Sequence, residues 1–193
     1  RAEITANRAA ARREEFKADY FQPILDDLFE NKISYKQFNR FLRIMHAKER
    51  NDYIDTINPE FKRRGIPGSG ISTKEAKEEI DKMKKDGTFD AYFAIGKKYW
   101  QLHDSLLDIQ KAYGIIDPDV YTILKNKYEY YTPLRRITED NIGLNERALG
   151  QRTEKKHQLA LTSATIDAVF GYGESNRKKQ AFALFAEKYP ARF

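Results

Sequence analysis

Large apolar residues recur at intervals of three and four along most of the chain, and this spacing constrains the fold more than any other feature. Such spacing marks one face of an α-helix, which has about 3.6 residues per turn. No segment alternates apolar and polar residues over five positions with β-branched content, so no strand is predicted. We therefore predict an all-α fold, an irregular multi-helix bundle with an extended N-terminal helical arm.

The arm is predicted for residues 1–30 and the helical body for residues 31–193. Before Phe16 the arm is mostly Ala, Arg and Glu, which favour helix but offer little to bury. Pro23 lies inside the helical pattern and is expected to kink it, because proline has no backbone N–H to donate.

Capping residues and helix breakers divide the body. The predicted helices span about 34–57, 72–85, 89–113, 117–128, 159–170 and 175–189, with a break at 171–173. Irregular connections are predicted at 58–71 and 131–145, where Pro and Gly or a lack of periodicity interrupt the pattern. Val120, Ile123, Leu124 and Tyr128 are predicted to form the core-facing stripe of the helix that Asp117-Pro118 begins.

Composition excludes several classes of protein. Hydrophobic residues make up 40% and charged residues 33%, which is typical of long helices with broad solvated faces. Twelve Phe and twelve Tyr argue against disorder. The absence of Cys excludes disulfides and thiolate metal sites. No apolar run reaches the ~20 residues that span a bilayer. Because the chain begins with Arg1 and not Met, we expect a fragment of a much longer chain.

The net charge of +6 is distributed as short basic runs. Most such runs are solvated helix faces, and the alternative is contact with a polyanion such as nucleic acid. The candidate polyanion contacts are Lys62, Arg63, Arg64, Arg135, Arg136, Arg177, Lys178 and Lys179.

His46, Glu49, Arg50 and Asn51 form the densest polar cluster within a helical pattern. A metal site needs three or four donors and the HExxH arrangement is absent, so we predict no metal, cofactor or catalytic residue here. We predict a structural polar cluster in which His46, Glu49 and Arg50 hold the Pro59–Gly70 loop or the Thr132–Arg136 segment. His103 is predicted to be a half-buried core histidine.

Five short segments, in this order, resemble the large polyvalent proteins of tailed bacteriophages, including their high-molecular-weight internal virion (ejection) proteins. These segments are His46-Ala47-Lys48-Glu49-Arg50-Asn51, Gly68-Ser69-Gly70-Ile71-Ser72, Tyr113-Gly114-Ile115-Ile116-Asp117, Tyr128 to Arg136 with Tyr131-Thr132-Pro133-Leu134-Arg135 inside it, and Glu174-Ser175-Asn176-Arg177.

The resemblance implies a non-enzymatic structural module that is made in the bacterial cytoplasm and packaged in the capsid. Such a module acts in core assembly and genome ejection into the host, with delivery into the host envelope or cytoplasm. The partners it implies are other internal core proteins or the portal, further copies of the chain, and packaged DNA nearby. The alternative is a nucleic-acid-binding helical module of a large phage or mobile-element protein that acts in the host cell.

Overall fold

A computed structural model describes residues 2–132, 159, 161–171 and 173 of the chain. These residues form helices and no strand, which confirms the all-α prediction. The helices are α1 (Ala2–Phe16), α2 (Gln22–Glu30), α3 (Tyr35–Ile57), α4 (Pro59–Arg63), α5 (Thr73–Lys85), α6 (Phe89–Ala112) and α7 (Pro118–Lys127). Residues 161–171 form a further helical segment, which we call the 161–171 helix.

Local signals set the helix ends. At the start of α3, the Ser34 hydroxyl accepts a hydrogen bond from the Gln37 N–H, while the Gln37 side chain accepts one from the Ser34 N–H. This reciprocal box satisfies two backbone donors that the first turn leaves free. α6 is followed by Gly114 at φ +63°, a left-handed conformation that glycine adopts without steric cost.

A π-helical turn, Lys17–Phe21, joins α1 to α2 and ends two residues before Pro23. Within it the Gln22 N–H donates to the Lys17 carbonyl, five residues back instead of four. Proline withdraws one N–H from the helical ladder, and an irregular turn beside it is a common way to accommodate that loss.

The core forms where α2, α3 and the 161–171 helix meet α6. α6 lies at the centre and contacts α2, α3, α5, α7 and the π-helical turn. The largest fully buried side chains are Tyr99, Phe38, Phe41, Ile24, Leu28, Leu42, Ile71, Ile95, Leu102, Leu106, Leu159 and Ile166. The Phe38 ring meets the Tyr99 ring edge-on at 6.0 Å between centroids, which is the geometry that aromatic pairs favour.

The predicted arm divides at Phe16. None of the side chains described at 8–15 is buried, whereas Phe16, Ile24 and Leu28 belong to the core. The second half of the predicted arm therefore packs with the body. A domain boundary at residue 30 stays a prediction.

Three sequence predictions need correction. The 58–71 connection contains the short helix α4, because Pro59 is well placed in a first helical turn and begins a new helix after Asn58 ends α3. The break at 171–173 is wrong at its described positions, 171 and 173, which are helical. The third correction concerns α7, whose predicted core-facing residues Val120, Ile123 and Leu124 are exposed.

Candidate functional site

Asn51 fastens the loop before α5 to the middle of α3. Its side chain accepts a hydrogen bond from the Ser69 N–H at 2.9 Å and donates to the Ile71 carbonyl at 2.9 Å and the Thr73 hydroxyl at 3.1 Å. Asn51 is only 6% exposed, so these bonds replace water for backbone groups that no helix satisfies.

Close packing brings the same loop against α3. A Cβ added to Gly68 would lie 2.5 Å from the Cβ of Ile54, so only glycine fits there. Arg43 donates to the Ser69 carbonyl at 3.3 Å, and burial lowers the pKa of its guanidinium. The loop is thus held on the helix both by side-chain hydrogen bonds and by contact.

Glu49 holds a second segment, the residues that follow α7. Its carboxylate accepts hydrogen bonds from the Glu129 N–H at 2.8 Å and the Tyr130 N–H at 3.2 Å. The Nδ1 atom of His46 lies 3.3 Å from the same carboxylate. Burial alone would raise the pKa of Glu49, but these hydrogen bonds outweigh it, so its pKa lies below the ordinary range.

Aromatic packing completes the contact between α3 and residues 128–132. The His46 ring is 2% exposed and meets the Tyr128 ring edge-on at 4.8 Å. The buried Thr132 hydroxyl donates to the Leu42 carbonyl at 3.4 Å. One face of α3 therefore contacts the chain on both sides of residue 130.

Arg50 does not act as expected. It forms no hydrogen bond to the described part of either connection, and its Nε atom is buried without a partner. Its guanidinium carbon lies 5.8 Å from the centre of the Tyr53 ring, a cation–π distance. Adjacency on one helical turn placed Arg50 in the cluster, but its side chain turns along the helix toward Tyr53.

His103 is the other histidine that the structure describes, and it lies half-buried in a polar chain. Its Nε2 atom is 3.2 Å from the Thr162 hydroxyl, which donates in turn to the Tyr99 hydroxyl at 3.2 Å. Burial lowers the pKa of His103 to about 4 and raises that of Tyr99. The chain links α6 to the 161–171 helix, and at neutral pH His103 carries no charge.

Within residues 2–132 and the 161–171 helix, no group of three His, Asp or Glu side chains is placed to hold a metal ion. A groove of about 230 Å³ between α1 and the end of α6 is lined by Arg12, Glu15, Phe16, Tyr20, Tyr113 and Phe170. None of the described residues that line this groove is a histidine.

Of the candidate polyanion contacts, the structure describes Lys62, Arg63 and Arg64 at the end of α4. All three are exposed, and Arg63 pairs with Glu60 at 2.6 Å. Arg135, Arg136, Arg177, Lys178 and Lys179 lie outside the described residues.

The outward face of α7 is the feature that sequence reasoning missed. Val120, Ile123 and Leu124 are 44%, 64% and 43% exposed, although they have the spacing of a core stripe. The sequence did contain a signal for the face that meets α6. Tyr121 and Lys125 lie one turn apart on a second face of α7, and they match the carboxylates of Asp104 and Asp108 on α6.

Comparison of the chain with protein-family models, curated proteins and solved structures finds no match. None of the described helices is long and apolar enough to cross a membrane.

Proposed function

We propose that this chain is a non-enzymatic structural module of a large internal virion protein of a tailed phage, packaged in the capsid and used in core assembly and genome ejection. The proposal rests on where the phage-like segments lie. Residues 46–51, 68–72 and 128–132 meet on one face of α3, joined by the hydrogen bonds of Asn51 and Glu49.

Another phage-like segment, Tyr113–Asp117, also makes a close contact. The Tyr113 ring presses on Gly173, the residue before Glu174, so closely that an added Cβ would lie 1.8 Å from a Tyr113 ring carbon. The described residues of the phage-like segments are far apart in sequence, yet they make contacts that hold the fold together. This placement favours a shared fold over a shared reaction.

The chemistry of the cluster supports a structural role. Glu49, the acid closest to His46, already accepts three hydrogen bonds, and a carboxylate held in this way is a poor proton acceptor. His103 is occupied by the Thr162 hydroxyl. As partners we propose other internal core proteins or the portal, further copies of this chain, and packaged DNA nearby.

The test is the location of the protein in purified particles. Particles treated with nuclease and protease are analysed by mass spectrometry for peptides from residues 17–132, before and after genome release is triggered. The proposal expects these peptides to survive protease in intact particles and to leave with the genome. Peptides found in infected cells but not in particles would overturn it.

The second candidate is a nucleic-acid-binding module that acts in the host cell. Lys62 and Arg64 favour it, because both are exposed at the end of α4 and neither forms an ion pair with a described residue. A binder that neutralises six or more phosphates should lose ~10³-fold or more in affinity between 50 and 200 mM salt. A structural module should show no saturable site on single- or double-stranded DNA.

A further inference from the structure

α7 attaches to the body by its polar face. The Tyr121 hydroxyl donates to an Asp108 carboxylate oxygen at 2.7 Å, and Lys125 Nζ lies 3.5 Å from oxygens of both Asp104 and Asp108. Lys111 Nζ lies 4.2 Å from the centre of the Tyr121 ring. Residues 121 and 125 are one turn apart and share a face, so the opposite face of α7 points away from α6.

The opposite face carries the apolar residues of the helix. Val120, Ile123 and Leu124 follow one another at the spacing of a single stripe and are 44%, 64% and 43% exposed. No residue of α7 is buried, so the core does not account for this stripe. A contiguous apolar stripe left in water forgoes about 25 cal/mol for each Å² it could bury, and such surfaces mark interaction sites.

The charges at the two ends of the stripe identify its partner. Asp119 lies at the N-terminal end and Lys127 at the C-terminal end, and neither forms an ion pair with a described residue. Both are four residues from Ile123. When two α7 helices pack antiparallel about a two-fold axis through Ile123, Asp119 of one copy therefore faces Lys127 of the other. A parallel pair would instead bring like charges together.

We propose that the outward face of α7, defined by Val120, Ile123 and Leu124 with Asp119 and Lys127 at its ends, pairs antiparallel with the same face of a second copy of this chain. The interface is self-complementary, as a two-fold dimer requires. The Lys127 ammonium group also lies 3.6 Å from the centre of the Tyr53 ring on α3, a cation–π distance.

The pairing is weak for an isolated chain. One short helix from each copy buries less than the ~1,200–2,000 Å² of a stable interface, so we expect dissociation constants of roughly 10–100 μM. Such contacts become populated when copies are concentrated on a common assembly. The role of the dimer in particle assembly rests on the proposed function, whereas dimer formation itself is measured independently of that function.

Sedimentation equilibrium of the 193-residue chain from about 5 to 500 μM tests the pairing. The unmodified chain should pass from monomer to dimer. Ile123→Glu should weaken dimerisation at least tenfold without changing the helical circular dichroism signal, because Ile123 is 64% exposed in the monomer. Ile57→Glu is the matched control: Ile57 is 52% exposed on α3, and its substitution should leave dimerisation unchanged.

Charge reversal tests the register. Asp119→Lys and Lys127→Asp should each weaken the dimer severalfold, and the double variant should recover most of the affinity. A misfolded single variant could not be rescued in this way, so recovery identifies the Asp119–Lys127 pair. A double variant that is weaker than both single variants would overturn the antiparallel register.

A chain that is monomeric at 500 μM overturns the pairing, as does equal weakening by Ile57→Glu. The pairing is also overturned if α7 gains hydrogen-exchange protection only when a different particle protein is added. A monomeric chain found inside capsids refutes the pairing alone. A dimeric chain absent from particles refutes the proposed function alone.

Discussion

Replacing Asn51 with leucine should destabilise the fold by about 1.5–4.5 kcal/mol. Leucine keeps the branched shape of asparagine but has no polar side-chain atom, so the Ser69 N–H loses its partner and the Ile71 carbonyl keeps only the hydrogen bond from the Ser69 hydroxyl. The unpaired Ser69 N–H costs about 1–3 kcal/mol, and the lost bond to the Ile71 carbonyl adds about 0.5–1.5 kcal/mol. The Thr73 hydroxyl adds little, because Thr73 is exposed and water can replace its bond.

Urea denaturation followed by circular dichroism measures this loss. At ~2–4 °C for each kcal/mol in a chain of this size, the melting temperature should fall by roughly 3–18 °C. Trypsin provides a local readout, because Lys62, Arg63 and Arg64 lie just before the released loop and should be cut faster in the variant.

Thr56→Val is the matched control for Asn51→Leu. Thr56 lies on the same helix and donates its hydroxyl to the Asp52 carbonyl at 3.0 Å, but at an exposed position. Its replacement should change stability by less than about 0.5 kcal/mol. An Asn51→Leu variant as stable as Thr56→Val would refute the view that this side chain holds the loop.

Three further predictions concern His103, the neighbours Glu49 and Arg50, and the N-terminal arm. Burial lowers the pKa of His103 from 6.5 to about 4, so the unfolded chain takes up a proton first as the pH falls. The free energy of unfolding should therefore fall by up to ~3 kcal/mol from pH 6.5 to 4. In urea titrations across this range His103→Gln should flatten the slope of that free energy against pH, and an unchanged slope would contradict the assignment. Urea denaturation at pH 7 should show a loss of about 1–2 kcal/mol for Glu49→Gln and of less than ~1 kcal/mol for Arg50→Ala. The reason is that Glu49 accepts hydrogen bonds from backbone N–H groups and Arg50 binds none of them. A larger loss for Arg50→Ala would show that Arg50 does hold the cluster together. Deleting residues 1–15 should leave the melting temperature within a few degrees, because none of the side chains described at 8–15 is buried; unfolding of the truncated chain would make the arm part of the core.

Helix boundaries could be read from the sequence because their signals are local. The box of Ser34 and Gln37 and the left-handed Gly114 each act within a few residues of the helix end that they set. Pro59 shows the limit of this reasoning. Proline ends one helix and suits the first turn of the next equally well, so only the structure reveals α4.

The candidate site could be predicted in part. The sequence indicated which polar residues cluster on α3, because residues three and four apart share a face. It proposed two connections as targets but could not assign a side chain to each, since Asn51 reaches a loop about 20 residues away and Glu49 reaches residues about 80 positions away. Those pairings depend on how the chain closes, and the direction of the Arg50 side chain depends on Tyr53, which offers it an aromatic face.

α7 separates what a helical pattern predicts from what it cannot. The spacing of Val120, Ile123 and Leu124 correctly predicts an amphipathic helix, but periodicity says only that one face is apolar and not what covers it. The two carboxylates of α6 decide the orientation, because burying the apolar stripe instead would separate Lys125 and Tyr121 from Asp104 and Asp108. If stability alone determined the sequence, apolar residues in place of those four polar ones would let α7 bury its apolar stripe against α6. Functional surfaces are where local rules are expected to fail, and we propose that the outward face of α7 is such a surface.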